Sequence, residues 1–371
     1  MHVRSARTLV FSLQDSGIIG FNFLSRSTFT CSSDLLTLLT SLEDWTALED
    51  VAGLVPSLPE DALLQTVEQL IEVGAMTLRG SPLAEAEEEF STSWQWGIPA
   101  AMFHFSLQDK KTRSLEQSEA LQISKLVKSS QPKLYLEHED ADRTALRLPA
   151  ALDGNPLMQL MARRRTVRAA ASDTIALKPL SDCLFAGLGI VGETQNCAGK
   201  LPLSMTPSGG ARNPYEAYVY ARSVDGLDPG FYHYSAFDHS LVRVGTNHLP
   251  KPSELIADQE WTDQMPCVVF LCAFFERTMW KYDDANAYRV VLIEAGHIAQ
   301  NLMLAATQAG LSACPSAALS HSKIRQCLFT ESALTTSPVY ALAIAEPDFE
   351  AAAEAEYQSD HAPAPELSPT L

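Results

Sequence analysis

Trp280-Lys281-Tyr282, followed after Asp283 to Ala287 by Tyr288-Arg289-Val290-Val291-Leu292-Ile293-Glu294-Ala295-Gly296-His297-Ile298-Ala299-Gln300-Asn301-Leu302, is the stretch that decides how this chain is read. From Tyr288 to Gly310 apolar residues dominate, and the spacing predicts one long buried helix. At about 100° per residue, Glu294, His297, Gln300 and Asn301 share roughly a third of its circumference, with Val290, Val291, Leu292, Ile293, Ile298, Leu302 and Leu304 around them. Buried polar groups need partners. The stripe therefore either caps neighbouring loops or meets a cofactor or a partner helix.

Two earlier segments bear on that choice. Arg163-Arg164-Arg165-Thr166-Val167-Arg168 places arginines on both sides of a hydroxyl. Guanidinium forks bind phosphate oxygens through paired hydrogen bonds, although a basic run is also what a solvated face looks like. Thr206-Pro207-Ser208-Gly209-Gly210-Ala211-Arg212-Asn213-Pro214-Tyr215-Glu216 contains a Ser-Gly-Gly turn. Without Cβ atoms, its backbone amides can come close to a flat ligand; the plainer reading is a loop leading into a strand from Tyr215 to Tyr220.

The order of these pieces resembles the nitroreductase superfamily: an Arg-x-Thr-x-Arg start, a Pro-Ser-Gly-Gly-Ala loop before a strand, a Gly-Phe-Tyr-His-Tyr segment and a Glu-Ala-Gly-His helix. More narrowly, Asp228-Pro229-Gly230-Phe231-Tyr232-His233-Tyr234, Trp280-Lys281-Tyr282 and Glu294 to Leu302 resemble SagB-type dehydrogenases. That branch includes the flavin-dependent azoline oxidases that mature ribosomally made peptides. The resemblance covers roughly residues 155 to 346.

It implies an α+β fold, a nitroreductase-like sheet sandwiched by helices, in a homodimer that holds FMN in the clefts between its chains. Carried over by motif, Arg164, Thr166 and Arg168 would hold the FMN phosphate or ribityl chain. Pro207, Ser208, Gly209 and Gly210 would face the isoalloxazine, with Asn213 reaching across the interface and Glu294 and His297 near the flavin pocket. Lys281 and Tyr282 match the Lys-Tyr pair that takes the proton when an azoline is aromatised. A neutral Lys needs its usual pKa of about 10.4 lowered by desolvation or nearby positive charge. One departure stands out: many relatives place an Arg or Lys after the last strand, where this chain has Ala345-Glu346-Pro347.

Three functions follow from the resemblance. The first is an FMN-dependent dehydrogenase of peptide maturation, with a precursor peptide as substrate and a cyclodehydratase as a possible partner. The second is a stand-alone NAD(P)H-dependent nitro or quinone reductase, and the third a non-catalytic scaffold of a peptide-modifying complex. The N-terminal extension and the Lys-Tyr pair favour the first.

Composition is consistent with these readings. A chain of 371 residues, 46% hydrophobic, can bury a large core in one elaborated domain or two. Its net charge of -18 is the wrong sign for a nucleic-acid partner. Seven scattered cysteines without Cys-x-x-Cys spacing fit reduced thiols and argue against a structural zinc site. No apolar run reads as long enough to span a bilayer, and Met1 to Ile19 lacks the pattern of a signal peptide, which gives a cytoplasmic expectation.

The chain divides into four regions. Residues 1–80 begin with one or two strands before residue 30; then Leu35, Leu36, Leu38, Leu39 and Leu42 recur at helical spacing, and a further helix runs from Pro59 to Val73. That order predicts a small winged-helix-like domain. With Arg79 the one basic residue between Ser33 and Glu89, against about a dozen acidic ones, DNA is an improbable ligand. A leader peptide or a simple packing role remain open. Residues 81–152 connect, with Trp94, Trp96 and Phe103-His104-Phe105 lining a substrate groove or filling core. Residues 153–347 form the FMN domain, with helices at 153–162, 179–188 and 288–310 and strands at 215–221, 230–234, 241–244, 267–275 and 338–345. The 267–275 run is apolar throughout, as in a strand buried on both faces. Residues 348–371 read as a disordered tail.

Overall fold

The computed structural model describes residues 1–15, 17–54, 59–111, 113–129, 155–197, 199–246, 248–329 and 333–352. Four strands, not one or two, open the chain: β1 (His2–Ser5), β2 (Leu9–Gln14), β3 (Gly17–Asn22) and β4 (Ser27–Cys31). β2, β3 and β4 form an antiparallel meander, whose second turn is closed by the Asn22 carboxamide oxygen accepting from the backbone of Leu24 and Ser25. Next come α1 (Ser33–Ser41), β5 (Thr46–Ala47), α2 (Leu48–Leu54), α3 (Glu60–Glu72) and β6 (Met76–Leu78). β1 pairs with β5 on one side and β6 on the other, under a core of Val3, Leu39, Leu42, Val51, Val67 and Met76. After α3 the chain returns as the single strand β6. What is established is a small β/α unit; the winged-helix reading goes further.

This unit is tied to the rest by a buried ion pair. Arg4 lies 2.7 Å from Glu87 on α4 (Pro82–Ser93), and the same carboxylate accepts from Arg7 N, Thr8 N and the hydroxyls of Thr8 and Thr77. Such a network suits a buried charge, because each carboxylate oxygen keeps hydrogen-bond partners. α5 (Gly97–Ser106) and α6 (Leu115–Lys128) follow. Trp94, Trp96 and Phe105 are buried as core among Phe23, Phe275 and Tyr288, while Phe103 is exposed.

The remaining elements are α7 (Pro156–Arg163), α8 (Leu177–Leu188), β7 (Ile190–Asn196), β8 (Gly199–Ser204), β9 (Tyr215–Ala221), β10 (Gly230–Ser235), β11 (Ser240–Val244), α9 (Pro252–Leu255), β12 (Cys267–Phe274), α10 (Glu276–Met279), α11 (Asn286–Gln308), β13 (Ser312–Ser316), α12 (His321–Leu328) and β14 (Thr336–Ala345). Asn155 caps α7 by accepting from Met158 N, and residues 153 and 154 of the expected helix lie outside the described residues. A six-stranded antiparallel sheet in the order β11-β10-β9-β12-β14-β13 forms the centre. β12 sits between β9 and β14 and buries both faces, as its apolar run requires. Its odd-numbered residues, such as Val269 and Leu271, meet α8 and α11. Its even-numbered ones, Val268 and Phe270, pack in a second cluster with Leu255 of α9 and Ile324 of α12. Helices therefore cover both faces of the sheet.

α11 is 23 residues long and, contrary to the expectation from sequence, apolar enough by length and composition to cross a bilayer. Its Tyr288, Val291, Ala295, Ile298, Leu302 and Ala306 are packed into the core beneath the sheet. α5 is anchored on it through His104, whose Nδ1 lies 3.0 Å from the Tyr288 hydroxyl and whose Nε2 lies 2.8 Å from Gln108 Nε2. Burial lowers the His104 pKa to about 3, so the imidazole stays neutral. The expected tail is not free from its first residue: Ala171 N donates to Glu346 O and Asp348 N to Ala169 O. Residues beyond 352 lie outside the described part.

Candidate active site

The loop between β8 and β9 is held in a left-handed backbone conformation at three positions. Gly210, Ala211 and Asn213 all have left-handed φ angles, of 64°, 54° and 45°. For the two that are not glycine this costs on the order of 1 kcal/mol each, so the surroundings must hold them there. They do so through several bonds. Asn213 N donates to Ser208 Oγ at 2.8 Å, and the Asn213 carboxamide donates to Pro202 O and Ala211 O. From below, Gly209 N donates to Glu294 Oε2 at 3.2 Å, and the Ser208 hydroxyl donates to the same carboxyl.

The glycines are there for space. A Cβ on Gly210 would fall 2.5 Å from Lys281 Nζ and 2.5 Å from the Tyr282 hydroxyl, and one on Gly209 would fall 2.9 Å from Val290. Lys281 and Tyr282 thus lie directly against the glycine turn, with Lys281 Nζ 5.2 Å from the centre of the Tyr282 ring. The turn that carries them follows α10. It is braced from the other direction by Trp96, whose indole N–H donates to Tyr282 O at 2.9 Å. A residue of the connecting region therefore supports the Lys-Tyr pair, a role that no local pattern around Trp96 announces.

Glu294 is buried, and burial raises its pKa to about 7 against the opposing hydrogen bonds from Ser208 and Gly209. It lines a cavity of about 600 Å³ together with Thr206, Arg212, Asn213, Glu216, His233, Arg277 and Trp280. Arg277 donates to Glu216 Oε1 at 2.6 Å and to Asn213 O at 2.9 Å, while His233 Nε2 lies 2.9 Å from Glu216 Oε2. The His233 hydrogen bond and the Arg277 charge hold the Glu216 carboxyl below the usual carboxylate range although burial opposes them. Arg212 lies over the Trp280 ring at 5.2 Å, at the edge of this cavity.

The polar stripe of α11 divides. Glu294 turns inward to the loop, and Asn301 donates to Thr206 Oγ1 at 2.9 Å. His297 and Gln300 are exposed in the single chain beside Ile293, itself 52% exposed. The stripe is wider than one buried face can take: 294 and 301 are two turns apart and line up, whereas 297 and 300 point away.

The arginine run lies elsewhere. Arg164 Nη1 donates to Thr166 Oγ1 at 3.2 Å, and Arg168 lies 5.6 Å from the Trp261 ring centre. Both are near Cys314, whose thiol burial pushes up while the two guanidinium charges pull it down. None of Arg164, Thr166 and Arg168 lines the cavity, and among the described residues no carboxylate pairs with Arg164, Arg165 or Arg168. The structure brings together Ser208, Gly209, Gly210, Asn213, Lys281, Tyr282 and Glu294. It keeps Arg164, Thr166, Arg168 and His297 apart from them. Sequence reasoning gave Arg277, Glu216 and His233 no role at the site and did not tie Trp96 to the Lys-Tyr pair; their partners lie 61, 17 and 186 residues away.

Three comparisons bear on this arrangement. The model of the "Nitroreductase family" matches residues 161–345. The nitroreductase-family protein MJ1384 of Methanocaldococcus jannaschii is 35% identical over 173 residues, 46% of this chain and 83% of that protein. Trifolitoxin-processing protein TfxB of Rhizobium leguminosarum bv. trifolii is 31% identical over 144 residues, 36% of this chain and 38% of TfxB, so the chain spans well under half of that relative. Among solved structures, the E. coli microcin synthetase McbBCD complex with truncated pro-MccB17 has 17% identity and a TM-score of 0.44, over 71% of this chain and 92% of that one, too distant to bear on function. Given the MJ1384 and family-model matches, the chain belongs to the nitroreductase family, whose members are generally flavin-dependent oxidoreductases that typically bind FMN.

Proposed function

We propose that this protein is an FMN-dependent dehydrogenase of the SagB type, which oxidises an azoline, thiazoline or oxazoline, in a ribosomally made peptide to the azole. The observation that carries the reading is the contact of Lys281 and Tyr282 with the Ser208-Gly209-Gly210 turn, which sets a base beside a surface built for a flat ligand. The similarity to trifolitoxin-processing proteins supports the peptide substrate.

The residues suit the cofactor. Arg164 and Arg168, free of carboxylate partners among the described residues, can take a phosphate with the Thr166 hydroxyl beside them. They would do this work without the Arg or Lys that many relatives carry after the last strand. Bound FMN supplies a two-electron acceptor for the hydride. The chain supplies the rest. Lys281 accepts the ring proton, Tyr282 relays it, and the glycine turn leaves room for two planar rings to meet. Neither Arg164 and Arg168 nor Gly209 and Gly210 line the cavity of about 600 Å³, and the site is read as one that a second protomer of a homodimer completes. The exposed Val290, Ile293, His297 and Gln300 face of α11 suits such an interface. The N-terminal β/α unit, read as winged-helix-like, would serve as a leader-peptide module, and a cyclodehydratase would supply the azoline.

Loss of a hydride and a proton makes the product lighter by about 2 Da. Co-expression with an azoline-containing precursor should give that loss, and Lys281→Ala should abolish it while retaining the flavin, lowering turnover on the order of 10²-fold or more. Full turnover in Lys281→Ala would sink the base assignment. A stand-alone NAD(P)H-dependent reductase, favoured by the match over most of MJ1384, would bleach its flavin with reduced nicotinamide and leave the peptide unchanged. A scaffold would bind its partner and take up no flavin.

A further inference from the structure

We propose that Arg277 is a positioning residue that fixes the Lys281–Tyr282 turn against the glycine loop, with Glu216 as its counter-charge and His233 holding Glu216 in place. Arg277 lies on α10, four residues before Lys281, so whatever fixes its guanidinium fixes the start of the turn. Its two terminal nitrogens reach two different elements. Nη1 holds the carbonyl of Asn213, the last left-handed residue of the loop, and Nη2 holds Glu216 on β9. His233, on the neighbouring strand β10, holds the second oxygen of Glu216. The guanidinium is planar, so its two bonds set both a distance and an orientation; an ammonium holds one acceptor at a time without that constraint.

The loop needs such a tie. Its left-handed backbone would relax if Asn213 were released, and Gly210 would leave Lys281 and Tyr282. Trp96 fixes the far side of the same turn through Tyr282 O, so Arg277 and Trp96 grip it from two sides. The catalytic consequence rests on the reading of Lys281 and Tyr282 as the reacting pair, but the clamp does not.

The test compares Arg277→Met, Arg277→Lys and Glu216→Gln in the full chain by hydrogen exchange, read by mass spectrometry on peptides covering 206–216 and 267–274. Acetylation of Lys281 by acetic anhydride is followed by peptide mapping. In Arg277→Met the amides of Gly209 to Asn213 should exchange about tenfold faster while β12 keeps its protection, and the Lys281 acetylation rate should change about threefold or more. Arg277→Lys should recover less than half of the protection, and Glu216→Gln should fall between parent and Arg277→Met. With the azoline peptide, kcat should fall about tenfold with KM within about threefold, the split expected when an interaction acts on the reacting geometry. Parental exchange in 209–213 together with parental Lys281 labelling in Arg277→Met would overturn the proposal. A loosened loop with unchanged turnover would uphold the clamp and count against the Lys-Tyr pair. If the methionine variant does not fold, Arg277→Lys and Glu216→Gln decide the matter on the same readouts.

Discussion

Two groups of arginine, one in the candidate site and one apart from it, are treated by the chain in opposite ways. Arg277 is paired with Glu216 and bonded to the carbonyl of Asn213. Arg164, Arg165 and Arg168 bond to Thr166, to nearby backbone carbonyls and to an aromatic face, with no carboxylate partner among the described residues. A guanidinium with its anion already in place organises the protein around it, whereas one without an anion retains its binding capacity for a ligand. Arg277 should therefore matter with or without cofactor, and the arginine run only with it.

The sharpest break of that comparison is Arg164→Gln combined with Arg168→Gln. Hydrogen bonds to charged groups contribute about 1.5 to 3 kcal/mol each, so losing two should weaken FMN binding on the order of 10²-fold or more. Without flavin, the unfolding midpoint should stay within a few degrees of the parent, because Arg168 is exposed and Arg164 only half-buried. Fluorescence titration of the apoprotein with FMN gives the first quantity and a thermal scan the second. A large loss of apoprotein stability would show that the run is structural after all.

Glu294 sharpens the comparison through pH. Its folded pKa, about 7, lies above the ordinary carboxylate value, so the folded state binds the proton more tightly than the unfolded chain. The stabilisation is complete below the unfolded pKa, about 4.5, and is lost as pH rises through about 7. The full swing is on the order of 3 kcal/mol. Glu294→Gln, which keeps an acceptor for Gly209 N–H, removes the titration, so its stability relative to the parent should increase from pH 5 to pH 8. Parallel stability curves for the two proteins across that range would mean that Glu294 does not titrate there.

Much of the fold was legible because its signals are local. The β12 run is apolar along its whole length and proved central, and β9 has the bounds its alternation gave. The β7–β8 hairpin was not legible: most of Ile190 to Asn196 is exposed, so the sequence carries little hydrophobic alternation there. β13, Ser312-Ala313-Cys314-Pro315-Ser316, is a strand of small residues with none of the β-branched apolar side chains that mark strands. At the site, the glycine turn and the Lys-Tyr pair could be read from sequence because each is a contiguous motif. The Arg277–Glu216–His233 cluster could not, since it forms only when α10, β9 and β10 come together. His297, at helical spacing from Glu294, is exposed in the single chain, because spacing gives an arc and not the edge at which burial ends.

A smaller effect, and the most discriminating, is that of Gly210→Ala. At φ 64° an alanine costs about 1 to 2 kcal/mol in backbone strain. Its Cβ would crowd the tips of Lys281 and Tyr282, of which the exposed Lys281 can swing aside while Tyr282 is half-buried against the core. The fold should therefore tolerate the change, with an unfolding midpoint lower by a few degrees. FMN affinity should move little where the phosphate is held by the arginine run. Turnover should fall further than stability, on the order of tenfold, because displacement of Lys281 by about 1 Å is enough to spoil proton transfer. An alanine variant with parental kcat and a lowered midpoint would mean that Gly210 serves the backbone alone, and that its contact with Lys281 and Tyr282 has no part in the chemistry.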